Sequence, residues 1–390
     1  MRRRSRRANL PVNCRPQNCR RHVRIQSSVL RQRGGHGIGF HYARILSTMQ
    51  VSLFYFGNDV FVDPSQRYRL LCEGAKFADE HGFTAVWTPE RHFERFGGLY
   101  PNPCITIAAL TTITKKVRLR AGSSIQPFHN AVCMAENWAL LDNLSNGRID
   151  VAFGSGWHVN DFVLAPDHYP CRREILFRDI ATIQLLWKGE TVELKNGIGN
   201  PVRIRTYPPP IQKELPIWIT AHSDETFALA GRSGFNVLAN FINKDNAKLK
   251  NKIRVYREAI SETGKRGIVT LMVHAFVSSD RVQARDLGMK ALTEYLTTNL
   301  ELMAPMLSAE SALSEPAPTM TKDDADYIAE RTAARIIDEL GLIGTPKECM
   351  EKTSAWESIG VDELACLIDF GIPVPETLEQ MHNLVTLARQ

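Results

Sequence analysis

The chain has 390 residues, of which 44% are apolar and 23% charged, and 48 basic against 42 acidic side chains give a net charge of +6. No stretch approaches 18 uninterrupted apolar residues, which excludes a membrane-spanning helix, and the composition excludes collagen-like, disulfide-dense and wholly disordered chains. The length suits one large globular domain or two smaller ones.

The first 48 residues differ in charge from the rest of the chain. They hold 12 arginines, no lysine and no acidic residue, so the remaining 342 residues carry a net charge of −6. We expect a disordered leader over residues 1–48 and one domain over residues 49–390. The leader could be a linker or start-site artefact ahead of Met49, a targeting peptide, or an arm that binds nucleic acid, the last being the least favoured.

The eight cysteines form no CxxC pair and no second pair that would complete a zinc site. The N-terminus is charged but lacks the apolar segment of a signal peptide. We therefore expect a cytoplasmic protein without a metal site.

From Met49 onward, apolar runs of strand length alternate with amphipathic segments of helix length. The predicted strands are 51–56, 83–87, 117–121, 149–153, 217–220, 236–239, 269–276 and 363–368. The predicted helices are 65–81, 105–114, 131–144, 172–187, 224–233, 245–263 and 376–388, with two or three more before the last strand. Eight such units predict a (β/α)8 TIM barrel, whose chemistry lies at the C-terminal ends of the strands.

Charged and aromatic residues follow the second and fourth predicted strands. Glu90, Arg91 and His92 could form an acid–base group or an ion-paired surface loop. Trp157 could stack on a planar cofactor or close the barrel mouth. His129 is interpreted as a structural histidine.

Two further segments could receive an anionic or flat ligand. His222, Ser223 and Thr226 open a helix, where free backbone N–H groups could hold a phosphate, although Ser223 could simply cap the helix. Gly154 and Gly156 permit close backbone approach, and Ser155 supplies a hydroxyl.

Six segments occur in an order and spacing that resemble the bacterial luciferase-like flavin-dependent monooxygenases. They are TPERHF (88–93), AGSSIQPFH (121–129), AENWALLDNLSNGR (135–148), GSGWHVNDF (154–162), IWITAHSDETF (217–227) and DELACLIDFG (362–371). The similarity covers nearly everything from Met49 to the end, and it is greatest to the branch found within or beside nonribosomal peptide and polyketide synthases.

The resemblance implies two-component chemistry. Reduced FMN would be supplied by a separate NAD(P)H-dependent flavin reductase, O2 would be the co-substrate, and a small or carrier-bound intermediate of secondary metabolism would be oxygenated. A synthase carrier domain is a further expected partner, and relatives often form homodimers. A deazaflavin-dependent hydride-transfer enzyme and a non-catalytic flavin-binding domain remain alternatives.

The resemblance also implies roles for individual residues. Ser223 and Thr226 fall where the family binds the FMN phosphate, and Ser155 and Trp157 lie in the segment under the flavin. The Ser123–Ser124 step resembles the position of a non-proline cis peptide against the flavin ring.

Two residues depart from the luciferase pattern. Arg91 stands where luciferase has its catalytic histidine, and Ser155 where luciferase has an arginine near the phosphate. The luciferase base mechanism is therefore not transferred, and light emission is not predicted. Arg91 could instead bind an anionic substrate or stabilise a peroxide anion. Specificity is expected in loops at 190–215 and about 304–322.

Overall fold

The computed structural model describes residues 49–57, 63–240, 246–307 and 321–388, without the side chains of 299–307 and 388. The predicted leader, residues 1–48, lies outside these ranges, and so does most of the predicted loop at 304–322. None of the helices within the described ranges is long and apolar enough to cross a bilayer.

Eight parallel strands close into a barrel, which confirms the predicted fold. The strands, in chain order, are β1 (Gln50–Phe54), β2 (Ala85–Thr88), β3 (Arg118–Ile125), β4 (Ile149–Gly154), β5 (Val192–Lys195), β6 (Pro201–Ile204), β7 (Ile217–Thr220), β8 (Asn236–Asn240), β9 (Val269–Val277), β10 (Leu342–Gly344) and β11 (Glu363–Leu367). The barrel runs β1-β2-β3-β4-β7-β8-β9-β11, and β11 pairs with β1 to close it. All eight predicted strands lie in this barrel.

Helices cover the outside of the barrel. They are α1 (Arg69–His81), α2 (Pro103–Thr111), α3 (Ala131–Ser145), α4 (Arg172–Trp187), α5 (Asp224–Arg232), α6 (Asn246–Ser261), α7 (Arg281–Leu307), α8 (Lys322–Arg335), α9 (Pro346–Ser358) and α10 (Val374–Ala388). The first predicted helix begins four residues late, because Asp63 caps a separate 3-10 turn at Pro64–Gln66 before α1 starts.

Three strands of the structure, β5, β6 and β10, were not predicted from the sequence. The segment at 190–215, read as a polar excursion, contains the antiparallel hairpin of β5 and β6, whose side chains are mostly exposed and so lack an apolar pattern. The three-residue strand β10 pairs with the C-terminal end of β9, beyond the residues of β9 that pair with β11. Three residues are too few to show a period.

A charged layer fills the N-terminal half of the barrel. The guanidinium of Arg120 lies between two indoles, 4.7 Å from the ring of Trp87 and 4.4 Å from that of Trp218. It donates to Asp150 at 2.6 Å and to both oxygens of Glu363 at 2.8 Å. Burial acts to lower the pKa of Arg120, but the two carboxylates outweigh burial and raise it. This layer closes the barrel below the candidate site.

Candidate active site

The C-terminal ends of the barrel strands carry the candidate site residues. Gly122 and Ala152 follow two residues after members of the charged layer on β3 and β4, so strand alternation places them inward on the next level. A Cβ on Gly122 would lie 2.7 Å from Phe54 Cε2. Above that level Thr220, the last residue of β7, is exposed although it belongs to a barrel strand. The ring of Phe54 thus packs directly against Gly122 on the level above the charged layer.

Glu90 is the centre of a hydrogen-bond cluster just after β2. Its Oε1 is 2.6 Å from His129 Nε2 and 3.1 Å from His92 Nε2, while its Oε2 accepts the Ile125 N–H at 2.6 Å and the Ser124 hydroxyl at 3.3 Å. The side chain is buried. Glu90 thus joins the ends of β2 and β3 and holds two histidines, which makes it a positioning residue for His92.

The charge of Glu90 follows from these contacts. Burial by itself would raise the pKa of Glu90, but the hydrogen bonds from His129 and His92 and the Ile125 N–H together lower it. Glu90 is therefore an ionised carboxylate under the barrel mouth. The histidines that it holds are half-buried.

Arg91 is buried between the ends of β2 and β4. Its Nη1 donates to Asp161 Oδ2, and its guanidinium carbon lies 5.2 Å from the ring centre of Trp157. Asp161 also pairs with His158 Nδ1 at 3.0 Å. Burial lowers the pKa of Arg91, while Asp161 and Glu94 oppose that shift. The arginine that replaces the luciferase histidine is therefore held in place as one half of a buried ion pair.

The ends of β3 and β4 approach closely beside this cluster. The cis peptide bond joins Gly122 to Ser123, one residue before the expected Ser123–Ser124 step, so that expectation was wrong by one position. A Cβ on Gly154 would lie 2.9 Å from Ser123 Oγ, and Gly156 has a φ of +78°. Ser155 is half-buried and Trp157 exposed.

The start of α5 forms a second group at the mouth, following β7. Ser223 Oγ caps the helix by accepting the Thr226 N–H at 3.3 Å, and it lies 3.0 Å from Thr226 Oγ1. Lys252 of α6 donates to the His222 carbonyl at 2.7 Å. The capping role foreseen for Ser223 is present, and the same helix end gathers hydroxyls, backbone N–H groups and an ammonium.

Buried polar atoms without hydrogen-bond partners collect at this end of the barrel. Five of the seven such side-chain atoms in the described part of the chain belong to residues at or near the C-terminal ends of β2, β3 and β9: Thr88 Oγ1, Arg91 Nε and Nη2, Gln126 Oε1 and His274 Nε2. Burial lowers the pKa of His274 to about 4, so its ring is neutral. Buried polar groups are normally paired, so this concentration is consistent with a missing polar ligand.

A carboxyl group that the sequence did not single out lies after β11. Asp369 accepts the Phe56 N–H at 2.7 Å and the Tyr100 hydroxyl at 3.1 Å. Burial raises the pKa of Asp369 to about 7, although these hydrogen bonds oppose the shift. The Tyr100 carbonyl in turn accepts the Arg91 N–H at 3.0 Å. Asp369 is thus connected to the candidate site and titrates near neutrality.

The structure brings several of the sequence candidates into contact. Glu90 binds His92 and Ser124, and Arg91 stacks on Trp157. At the start of α5, the His222 carbonyl accepts a hydrogen bond from Lys252 of α6. His129, interpreted as structural, binds the same carboxylate as His92. Within the described residues, no group of three His, Cys, Asp or Glu side chains could hold a metal ion.

The sequence is similar to a known protein family and to individual relatives. The sequence model of the family described as luciferase-like monooxygenase matches residues 49–363. The oxygenase component of the flavin-dependent trigonelline monooxygenase of Acinetobacter baylyi is 26% identical over 358 residues, which cover 86% of this chain and 94% of that protein.

Two solved structures share the fold at lower identity. The oxygenating constituent of 3,6-diketocamphane monooxygenase from Pseudomonas putida, in complex with FMN, superposes with a TM-score of 0.70 at 18% identity, covering 87% of this chain and 97% of that one. A secondary alcohol dehydrogenase that depends on coenzyme F420 gives a TM-score of 0.65 at 19% identity, with coverage of 88% and 100%.

Proposed function

Since the chain belongs to the luciferase-like monooxygenase family, we propose that its cofactor is reduced FMN and its reaction the transfer of one oxygen atom from O2 to a small organic substrate. The observation that carries this proposal is the set of unpaired buried polar atoms at the barrel mouth. Apart from Arg91, the set includes the Thr88 hydroxyl, which can donate, and Gln126 Oε1, which accepts, and the ring of a reduced flavin offers both kinds of partner along one edge. The residues present therefore fit the group.

The residues that would hold FMN come from two sides of the mouth. We assign the phosphate to the start of α5, with Ser223, Thr226 and the N–H groups after His222. Lys252 adds a cation there, and the acidic side chains of the first turn are exposed to solvent. The ring would lie against the ends of β3 and β4, near Ser123, Ser124 and 154–157.

Reduced FMN, when bound, supplies the electrons that activate O2. The chain's own residues bind and orient it, and the closed charged layer keeps water from entering through the barrel. His92 is the candidate for moving a proton at its ring nitrogens, and Glu90 fixes the orientation of that ring. Arg91 cannot act as a base near neutral pH.

The proposal extends to the partner, the catalytic unit, the location and the substrate of the enzyme. The trigonelline relative is named an oxygenase component, which supports a separate flavin reductase as partner. We further propose that the catalytic unit is residues 49–390, that the enzyme works in the cytoplasm as a homodimer, and that its substrate is an intermediate of secondary metabolism, free or held on a synthase carrier domain.

Anaerobic titration of the purified chain tests the cofactor assignment. We expect reduced FMN to bind more tightly than reduced riboflavin, which lacks the phosphate. Ser223→Ala, which removes one hydroxyl from the phosphate group, should weaken FMN binding roughly 5- to 10-fold and leave riboflavin binding unchanged. As a matched control, Ser261→Ala removes an exposed hydroxyl at the end of α6.

Mixing the reduced complex with O2 tests the reaction class. A monooxygenase should reoxidise its bound FMN on a time course different from that of free reduced FMN. Tighter binding of reduced coenzyme F420 than of reduced FMN would instead establish a hydride-transfer enzyme like the structurally similar alcohol dehydrogenase. Flavin binding with reoxidation at the rate of free flavin would indicate a non-catalytic domain.

A further inference from the structure

The guanidinium of Arg91 has one occupied side and one free side. Nη1 donates to Asp161, and the planar face lies against Trp157. Nε and Nη2, by contrast, have no hydrogen-bond partner, although the side chain is only 2% exposed. Buried donors of a charged group are expensive to leave unpaired. The chain therefore keeps two strong donors without an acceptor of its own.

The two free donors suit a particular kind of ligand. The N–H bonds of Nε and Nη2 lie along one edge of the planar guanidinium and point in the same direction, which matches the two oxygens of a carboxylate. Asp161 prevents the group from turning away, and Asp161 is itself held by His158. The edge is thus pre-oriented for a bidentate acceptor.

The neighbouring charges restrict which anion can bind. Asp161 contacts the guanidinium, Glu94 acts on it electrostatically, and the ionised Glu90 precedes it in the chain. Three nearby carboxylates disfavour a dianion such as phosphate more than a monoanion. A singly charged planar group is the ligand that this environment tolerates best.

We propose that the free edge of Arg91 binds a carboxylate of the substrate, so that the enzyme acts on organic acids. The inference rests on the proposed function, because it takes the barrel mouth to be where the substrate enters. The loop after β2 that carries Arg91 also carries His92, the candidate proton-transfer group. A ligand at this edge would lie near the indole of Trp157, whose ring centre is 5.2 Å from the guanidinium carbon and which is 40% exposed.

Trp157 provides a local signal for the test. The chain has six tryptophans, and the other five, at 87, 138, 187, 218 and 356, are buried. The full chain, freed of flavin, is titrated with benzoate and with its neutral analogue benzamide, and tryptophan emission is recorded. We expect a saturable change with benzoate and at least 10-fold weaker binding of benzamide. Equal binding of the two compounds, or no binding of benzoate, would overturn the proposal.

Variants test whether Arg91 causes the preference for benzoate over benzamide. Arg91→Met should weaken benzoate binding, measured by calorimetry, roughly 10- to 100-fold and leave benzamide binding unchanged. Arg91→Lys, which keeps the charge but loses the paired donors, should recover only part of the affinity. Arg254→Met removes an equal charge from an exposed site on α6 and should bind benzoate as the wild type does. The wild-type comparison of benzoate with benzamide decides the matter even if an Arg91 variant fails to fold.

Two further titrations test whether the group that binds Arg91 is a substrate carboxylate, a phosphate or the flavin ring. Inorganic phosphate should not reproduce the benzoate response at Trp157. Saturation with FMN should leave benzoate binding intact, and its loss would assign the free edge to the flavin ring and overturn the substrate proposal. Because these titrations need neither reduction nor O2, a failure of the flavin proposal is observed separately, in the anaerobic FMN titration.

Discussion

Replacing Glu90 by glutamine tests whether this carboxylate organises the candidate site. Glutamine has nearly the same shape, so the change removes the charge and converts one carboxylate oxygen into an NH2 group. The amide oxygen can still accept the Ile125 N–H. The NH2 group then occupies the place of Oε1, which is 2.6 Å from His129 and 3.1 Å from His92.

The expected cost follows from those two contacts. A hydrogen bond to a charged group contributes about 1.5–3 kcal/mol, and the NH2 group can replace at most one of the two with a neutral bond. The neutral amide is cheaper to bury than the carboxylate, which returns part of the loss. We therefore expect E90Q to lower the free energy of unfolding by about 2–4 kcal/mol near pH 7, measured by urea denaturation.

The effect should depend on pH in a defined direction. The folded state lowers the pKa of Glu90, so its stabilising contribution is complete above the unfolded value of about 4.5 and is lost as the pH falls through the lower folded value. The difference between wild type and E90Q should therefore be largest near neutrality and shrink in acid. Glu94→Gln, an exposed neighbour in the same loop, should change stability by less than about 0.5 kcal/mol. Equal costs for the two variants, or a Glu90 effect that grows in acid, would refute this reasoning.

Three other predictions concern the barrel and its mouth. Arg120→Met leaves Glu363 buried without its cation and should cost about 3–5 kcal/mol of unfolding free energy, with a shifted emission of the flanking indoles in the remaining folded protein. Gly122→Ala places a Cβ 2.7 Å from a ring carbon and should lower stability by about 1–3 kcal/mol in thermal unfolding, whereas Gly197→Ala, which meets nothing within 4 Å, should be nearly neutral. Below its ordinary pKa of 3.8, Asp369 is protonated in both the folded and the unfolded state. As the pH rises from 3.8 toward 7, only the unfolded state releases the proton, which favours unfolding. The unfolding free energy of the wild type, measured by urea denaturation, should therefore fall by up to about 4 kcal/mol relative to that of D369N over this range.

The barrel was predictable because its strands are buried on both faces. Runs such as 149–153 and 269–276 are almost continuously apolar, and the helices between them carry a regular period, so element type and order follow from local pattern. The hairpin of β5 and β6 was missed because its exposed side chains leave no such signal. The helix ends shifted where capping residues, such as Asp63, set them.

The site was less predictable because its contacts join distant parts of the chain. The residues after the strand ends could be located, but the partner of each could not. Glu90 meets a histidine 39 positions away, and Arg91 meets an aspartate 70 positions away. His129, interpreted as structural, pairs with the buried Glu90, but nothing near it in the sequence identifies that partner. Lys252 and Asp369 depend on neighbours that only the closed barrel provides.

The stack of Trp87, Arg120 and Trp218 blocks passage through the N-terminal half of the barrel, so ligands enter and leave at the C-terminal ends of the strands. With one entrance, the ligand that binds deepest in the barrel has to enter first and leave last. If flavin and substrate share this entrance, oxidised flavin, product and incoming reduced flavin compete for it. Slow release of product would delay the next turnover, so the exchange of ligands at the entrance, and not the chemical step, would limit the rate.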